Sequence, residues 1–330
     1  MKAKKMNAMV VTGYGSSEVL KYATVHIPTP GDDEVLVKVL ASSATTADTM
    51  MLTGKPYIGR LFTGLKRPKH PVPGTGFSGI VSATGKNVRK FHPGDEVFGE
   101  TTLGFSTNAE YVAVPEGGVI LHKPENIDFA TAAPICDGHL TSLNFLKDIA
   151  GIKPGQNVLI IGASGSLGSA AVQLAKFFGA RVTGVCSTPN VSLVKSLGAD
   201  KVIDYTRENI AAAGEKYDII YDTVGKYSFG AAKSILKKAG VYMSPVLNFS
   251  LLLQMLRTKV SGGKKAIFAA SGLKSDEALR EMLAELSEMF LEGRLKTIID
   301  RQFPLEKLPQ AYAYIAKGHK KGNVVMMHVA

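Results

Sequence analysis

The clearest chemical signal in the sequence comes from glycines. Gly162-Ala163-Ser164-Gly165-Ser166-Leu167-Gly168 follows the apolar run NVLIIG (157–162) and leads into SAAVQLAKFFG (169–179), a helix-forming stretch. A strand, a glycine-rich turn and a helix, with further strand–helix units behind them, is the context in which this spacing binds an anion. Gly162 permits the tight turn, Gly165 lets the backbone approach a pyrophosphate, and Gly168 lets the helix pack on the strand. Amide groups of Ser166 and Leu167 would then meet the anion at the positive end of the helix. The chemistry implied is the binding of a dinucleotide.

Which dinucleotide is decided at the end of the second strand, RVTGVC (181–186). A site for NAD places Asp or Glu there to hold the ribose 2′-hydroxyl. This chain runs Cys186-Ser187-Thr188-Pro189-Asn190, with no carboxylate. The Ser187 hydroxyl can donate to a 2′-phosphate, and the missing acid removes repulsion, so NADPH is read ahead of NADH. Tyr205 and Arg207, just after the third strand, are expected to complete that pocket. Ser164, Thr223, Val224 and Thr141 join the candidate cofactor contacts. The rival reading of Ser187 and Thr188 is that their hydroxyls cap the following helix.

A metal is not expected. Zinc that polarises a carbonyl needs Cys, His and carboxylate ligands. Cys136 has no Cys or His partner at motif spacing, and the seven histidines are dispersed. His139 is close to Cys136 in sequence, but one nearby pair does not make a site, and it reads as a satisfied polar residue.

The elements that must position these residues fall into two patterns. Up to about residue 124, EVLVKVLAS (34–42), FSGIVSATG (77–85), PGDEVFG (93–99) and AEYVAVP (109–115) read as short strands punctuated by Gly and Pro, which suggests a small β-barrel. From 157 onward, apolar runs alternate with helix-length segments: 157–162, 181–186, 201–204, 217–222, 240–244 and 265–270. Six such strands with intervening helices predict a doubly wound parallel sheet, its strands apolar because helices cover both faces. After Ser271, SDEALREMLAELSEMFLEG reads as an amphipathic helix with one stripe of Leu279, Met282, Leu283, Leu286, Met289 and Phe290. The tail GNVVMMHV (322–329) reads as a closing strand that returns to the first domain. The expected division is 1–124, 125–271 and 272–330.

Composition bounds the rest. Of 330 residues, 45% are hydrophobic and 20% charged, which makes disorder the wrong default. The formal net charge is +11, with basic residues scattered, Lys4, Lys5, Lys264, Lys265, Lys320 and Lys321 among them. A solvated lysine-rich surface explains this; steering of anionic ligands or contact with an acidic membrane surface is the rival reading. No basic repeat or aromatic–basic module supports nucleic-acid binding. Two cysteines in a chain this long favour a reducing compartment. No signal peptide is read at the start, and the apolar stretch 241–256 is too short to span a bilayer. A soluble cytoplasmic protein is the expectation.

The order of parts resembles the medium-chain dehydrogenase/reductases, and within them the zinc-free quinone oxidoreductase branch that includes zeta-crystallin. The pieces that carry the likeness are PGTGFSG (73–79), PGDEVFG (93–99), AEYV (109–112), GHLT (138–141), the 162–168 turn, LGAD (197–200), VIDY (202–205) and GNVV (322–325). The resemblance implies an α/β protein in which a GroES-like catalytic barrel is built from both chain ends around a Rossmann domain. It also implies a homodimer through the last Rossmann strand, 265–270. In zinc-containing relatives a Cys precedes by three the Asp matched by Asp48; Thr45 stands here. Their relay hydroxyl is Ala47, and their Gly-His-Glu reads Gly74-Thr75-Gly76. Close relatives of this branch often carry Lys or Arg after the second strand, where this chain has Pro189.

The expected reaction is hydride transfer to a quinone or to the β-carbon of an α,β-unsaturated carbonyl, with neutral donors meeting the developing oxyanion. Tyr57, in the loop after the third strand region, is the first candidate donor, with Thr45 and Thr46 behind it. Tyr57 as a packed aromatic, with water as proton source, is the alternative. The segments 58–65 and 246–256 would flank an apolar substrate pocket. The rival functions are a zinc-free alcohol dehydrogenase or ketone reductase, and a low-turnover dinucleotide-binding protein with a structural or membrane-peripheral role.

Overall fold

The computed structural model describes residues 4–55, 57, 60–270, 272 and 274–328. The chain divides into two compact units: Met1–Asp137 with Lys274–Gly293 and Thr297–Ala330, and Gly138–Leu273 with Arg294–Lys296.

The first unit begins with strands β1 (Lys5–Val11), β2 (Leu20–His26), β3 (Glu34–Ala44), β4 (Gly76–Thr84), β5 (Glu96–Glu100), β6 (Tyr111–Pro115) and β7 (Val119–His122). Alternation along β3 and β4 turns Val35, Val37, Val39, Phe77 and Val81 into one core with Val97, Val112, Val114 and Ile120. β1 and β2 form a separate antiparallel pair. They escape a pattern-based reading because β2 is mostly exposed and lacks a buried face that alternates cleanly.

The second unit holds β8 (Asn157–Ile161), β9 (Arg181–Cys186), β10 (Lys201–Asp204), β11 (Tyr217–Asp222), β12 (Leu236–Ser244) and β13 (Lys265–Phe268). They lie in the spatial order β10-β9-β8-β11-β12-β13, all pairings parallel. This is the doubly wound order 3-2-1-4-5-6, with its switch point between β8 and β11. All six apolar runs are strands. β12 starts four residues earlier than the 240–244 run, because Leu236 pairs with Tyr217 across a register shift that the polar Lys237-Lys238 pair hides from a hydrophobicity pattern.

The chain then returns to the first unit. The helix Asp276–Leu291 is capped by Ser275, whose side chain accepts from the Ala278 amide. All six residues of its stripe are buried. β14 (Ile299–Pro304) and β15 (Asn323–Met327) follow, and β15 pairs antiparallel with β3, Val324 opposite Ala44. β14 went unread because IDRQFP is largely polar and half-buried. Of the closing strand read as 322–329, Val329 lies outside the described residues, as do Ser271 and Ile58. Among the described residues, no helix is long and apolar enough to cross a membrane.

Leu283 is fully buried in the returning helix. Leu283→Ala should cost roughly 2–5 kcal/mol in chemical denaturation; a loss well under 1 kcal/mol would show that this helix does not anchor the unit's core.

Candidate functional site

The glycine turn sits at the carboxyl end of β8 and opens the helix Ser166–Phe177. Gly162 has φ +78, and a Cβ there would come within 2.4 Å of Val224 Cγ2 and 2.7 Å of Thr223 Oγ1. A Cβ on Gly168 would lie 2.1 Å from the Gly162 carbonyl oxygen, so the helix rests on the turn at a distance only glycine allows. Gly165 is different: a Cβ there would meet only the Gly162 oxygen, at 3.5 Å. Its space is open on the other side.

A helix leaves its first amide groups without intrahelical carbonyls. Elsewhere in this chain Thr45, Asn248 and Ser275 take up such amides with their side chains. At Ser166–Phe177 the cap is Gly165, which has no side chain to offer. An exposed cradle with an uncapped first turn fits a phosphate group. Gly138 backs it, since a Cβ there would be 3.1 Å from Ser166 Oγ, and Ser142 Oγ donates to the Leu167 carbonyl at 2.8 Å. Thr141, half-buried, heads the short helix Thr141–Leu143 on this side.

Two residues missed by the sequence reading hold the rim. Asp222, fully buried at the end of β11, accepts from the amides of Val224, Gly225 and Tyr227 and from the Tyr242 hydroxyl. It fixes the loop that carries Thr223 and Val224 over Gly162. Thr223 Oγ1 donates to the Ile161 carbonyl at 2.8 Å, and Val224 is exposed. Asn190 donates to Ser164 Oγ at 3.1 Å and Ser187 Oγ at 3.3 Å, tying the turn after β8 to the turn after β9. The signals were present as an acid closing the run YDIIYD and an Asn following Pro189, but neither has a fixed motif.

The end of β9 needs a correction. The sequence segment 186–190 has no carboxylate, yet the sheet brings Asp204 beside it, paired in register with Cys186. Its carboxylate accepts from the Thr188 and Thr206 hydroxyls and the Thr206 amide, with Arg207 Nε at 3.6 Å. The Thr188 and Thr206 hydroxyls hold its pKa below the usual carboxylate value. Arg207 and Tyr205 are both exposed at this edge, and Ser187 is half-buried. Ser187 makes no side-chain cap bond to the turn Thr188–Asn190.

In the first unit, Thr45 caps the helix Thr46–Thr53 in a reciprocal box: its hydroxyl accepts from the Asp48 amide at 2.9 Å, and Asp48 accepts from the Thr45 amide at 2.8 Å. Thr45 is buried and its hydroxyl is engaged by Asp48; Thr46 is exposed. The helix ends at Gly54 in the left-handed region, and Tyr57 follows, 66% exposed, with the Arg60 guanidinium 4.8 Å from its ring centre. Tyr57 is therefore not a packed aromatic. The same unit holds a buried polar set: Ser42 Oγ donates to Asn108 Oδ1 at 2.8 Å and accepts from His328 Nε2 at 2.9 Å. Gly74, at φ +94, lets the chain pass Asn108, since a Cβ would sit 2.4 Å from its Nδ2. Among the described residues, no three His, Cys, Asp or Glu side chains gather as a metal site.

The sheet order and the uncapped glycine cradle define a fold of the dinucleotide-binding class. Residues 31–125 match the alcohol dehydrogenase GroES-like domain, and residues 197–326 match the zinc-binding dehydrogenase family. A chloroplastic quinone-oxidoreductase, QR1 of Triphysaria versicolor, is 33% identical over 99% of both chains. The 2-methylene-furan-3-one reductase of Solanum lycopersicum is also 33% identical, over 98% of this chain and 79% of that one. The solved quinone oxidoreductase of Coxiella burnetii superposes with a TM-score of 0.87 at 27% identity, over 98% of this chain and 99% of that one. The chain belongs to the medium-chain dehydrogenase/reductase superfamily of NAD(P)H-dependent oxidoreductases.

Burial raises the Asp48 pKa to about 7, against the pull of the Thr45 hydrogen bonds, and the Asp137 charge adds to the rise. An acid whose folded pKa is raised binds its proton more tightly when folded, so this contribution is present below pH 4 and lost as pH rises through 7. His328, lowered to about 4 by burial, acts in the opposite sense, losing stability as pH falls below 6.5. Asp48→Asn should therefore gain stability relative to the parent as pH rises from 4 to 8, by roughly 4 kcal/mol. Parallel unfolding curves across that range would show that Asp48 does not titrate there.

Proposed function

We propose that this chain reduces quinones or α,β-unsaturated carbonyls with NADPH, and does so without zinc. The observation that carries the reading is the uncapped first turn of Ser166–Phe177 over three glycines at the switch point of a 3-2-1-4-5-6 sheet. Held there, a reduced nicotinamide dinucleotide supplies the hydride.

The residues divide the work. Gly162, Gly165, Ser166, Leu167 and Gly168 hold the diphosphate, with Ser164 steadied by Asn190. Ser187, Tyr205 and Arg207 hold the 2′-phosphate. Asp204 would oppose that phosphate, but two threonine hydroxyls and Arg207 already engage its oxygens. Thr141, Thr223 and Val224 line the approach to the nicotinamide. Tyr57 donates to the developing oxyanion, with Thr45 and Thr46 as further hydroxyls. Neutral donors suit this role because the matched Cys and Gly-His-Glu positions of zinc-containing relatives are Thr45 and Gly74-Thr75-Gly76 here.

The catalytic part comprises 1–124 and 272–330, and the cofactor part 125–271. The acceptor class follows from the relatives, whose names specify a quinone and a methylene-furanone, both carbonyls conjugated to a carbon–carbon double bond. A cytoplasmic homodimer paired through β13, an edge of its sheet, completes the reading.

With NADPH, quinones and enones should be consumed and simple saturated ketones left unchanged; turnover of saturated ketones alone would replace this reading with a ketone reductase. Ser187→Asp should shift the NADPH-to-NADH preference in kcat/KM about tenfold to a hundredfold towards NADH, through like-charge repulsion. An unchanged ratio would place the 2′-phosphate elsewhere.

A further inference from the structure

The helix Phe249–Ser261 presents the wrong face to water. On a 3.6-residue turn, Leu251, Met255 and Thr258 share one side. That side faces inward: Leu251 is buried, Met255 packs on the core of the second unit, and Thr258 Oγ1 accepts from the Ala266 amide. The opposite side carries Phe249, Leu252, Leu253, Leu256 and Val260, all exposed, with Phe249 at 83%, Leu256 at 61% and Val260 at 89%. A surface helix normally reverses this, polar side outward. Asn248 caps the helix start, so the segment is set as a helix by its own sequence.

Charge surrounds the apolar stripe. Arg257 and Lys259, both exposed, fall on its two edges, and Lys264 and Lys265 follow the helix. Between Asp222 and Asp276 the sequence has nine Lys or Arg and no Asp or Glu. Basic residues occur throughout the chain, but this stretch lacks acids to balance them, so it carries most of the +11 net charge. An outward apolar face edged by cations is the pattern of a helix that lies in a membrane interface. A second copy seated on this helix face, as distinct from one paired through β13, would set its Arg257 and Lys259 against those of the first, which repel. An anionic lipid surface meets both features, apolar residues entering the acyl boundary and cations meeting the headgroups.

We infer that Phe249–Ser261 docks the protein on anionic phospholipid bilayers. The test is flotation of the full chain with phosphatidylcholine vesicles, with and without phosphatidylglycerol, at low and high salt, read beside sedimentation in solution. The assay uses no acceptor or cofactor, so its outcome is independent of the proposed reaction. The chain should float with anionic vesicles, weakly or not at all with neutral ones, and less as salt rises. Leu256→Glu with Val260→Glu should lower the partition at least tenfold, and Arg257→Gln with Lys259→Gln about fivefold for each cation removed. Thermal unfolding checks that the variants fold.

Absence of binding to anionic vesicles would overturn the inference, as would equal binding to neutral ones or variants that bind like the parent. A parent that ignores vesicles, with a Leu256→Glu/Val260→Glu variant that falls from dimer to monomer, would assign the face to a second copy instead.

Discussion

The structure depends on a backbone contact. Gly168 lies so close to the Gly162 carbonyl that no side chain fits between them, and this fixes the start of Ser166–Phe177 directly over the end of β8. The open space at Gly165, the missing side-chain cap and the positive end of the helix then coincide at one point. The neighbouring loops are arranged around that point: Asp222 holds 223–227 over Gly162, and Asn190 ties Ser164 to Ser187. Each of these bonds orders a loop that would otherwise sample many conformations, and each is made by a residue that does not itself need to touch a ligand.

The first unit solves a different problem, closing a sheet whose strands come from distant parts of the chain. β15 pairs with β3 across almost the whole sequence, and the polar set of Ser42, Asn108 and His328 joins them inside. Buried polar groups that find partners impose a specific arrangement where apolar packing alone would tolerate several. Asp48 shows the cost. It completes the cap of Thr46–Thr53, yet burial raises its pKa to about 7. Thr45 caps the same short helix, so one of the hydroxyls proposed to act on substrate is positioned by a carboxyl that is itself poised.

Much of this was legible in the sequence where one force dominates. The six strands of the parallel sheet are buried on both sides and read as apolar runs; the stripe of Asp276–Leu291 has one period and one buried face. Gly162 and Gly168 carried their roles because each answers a local steric demand, and Gly165 leaves its surroundings open. Polar or exposed strands such as β2 and β14 left no such trace. Asp204 escaped for another reason: its place beside Cys186 is set by strand pairing eighteen residues away in sequence. Asp222 and Asn190 act through loop hydrogen bonds that no spacing rule records. The inverted face of Phe249–Ser261 was invisible because its apolar residues read equally well as core or pocket lining until their exposure was known.

Fluorescence titration of the folded, purified chain with NADPH and NADH tests the anion cradle most directly. Amides at the start of Ser166–Phe177 that grip a diphosphate require saturable binding of a reduced pyridine nucleotide, with micromolar affinity and NADPH the tighter. A well-folded sample that binds neither nucleotide would contradict the cradle and leave only the architecture standing.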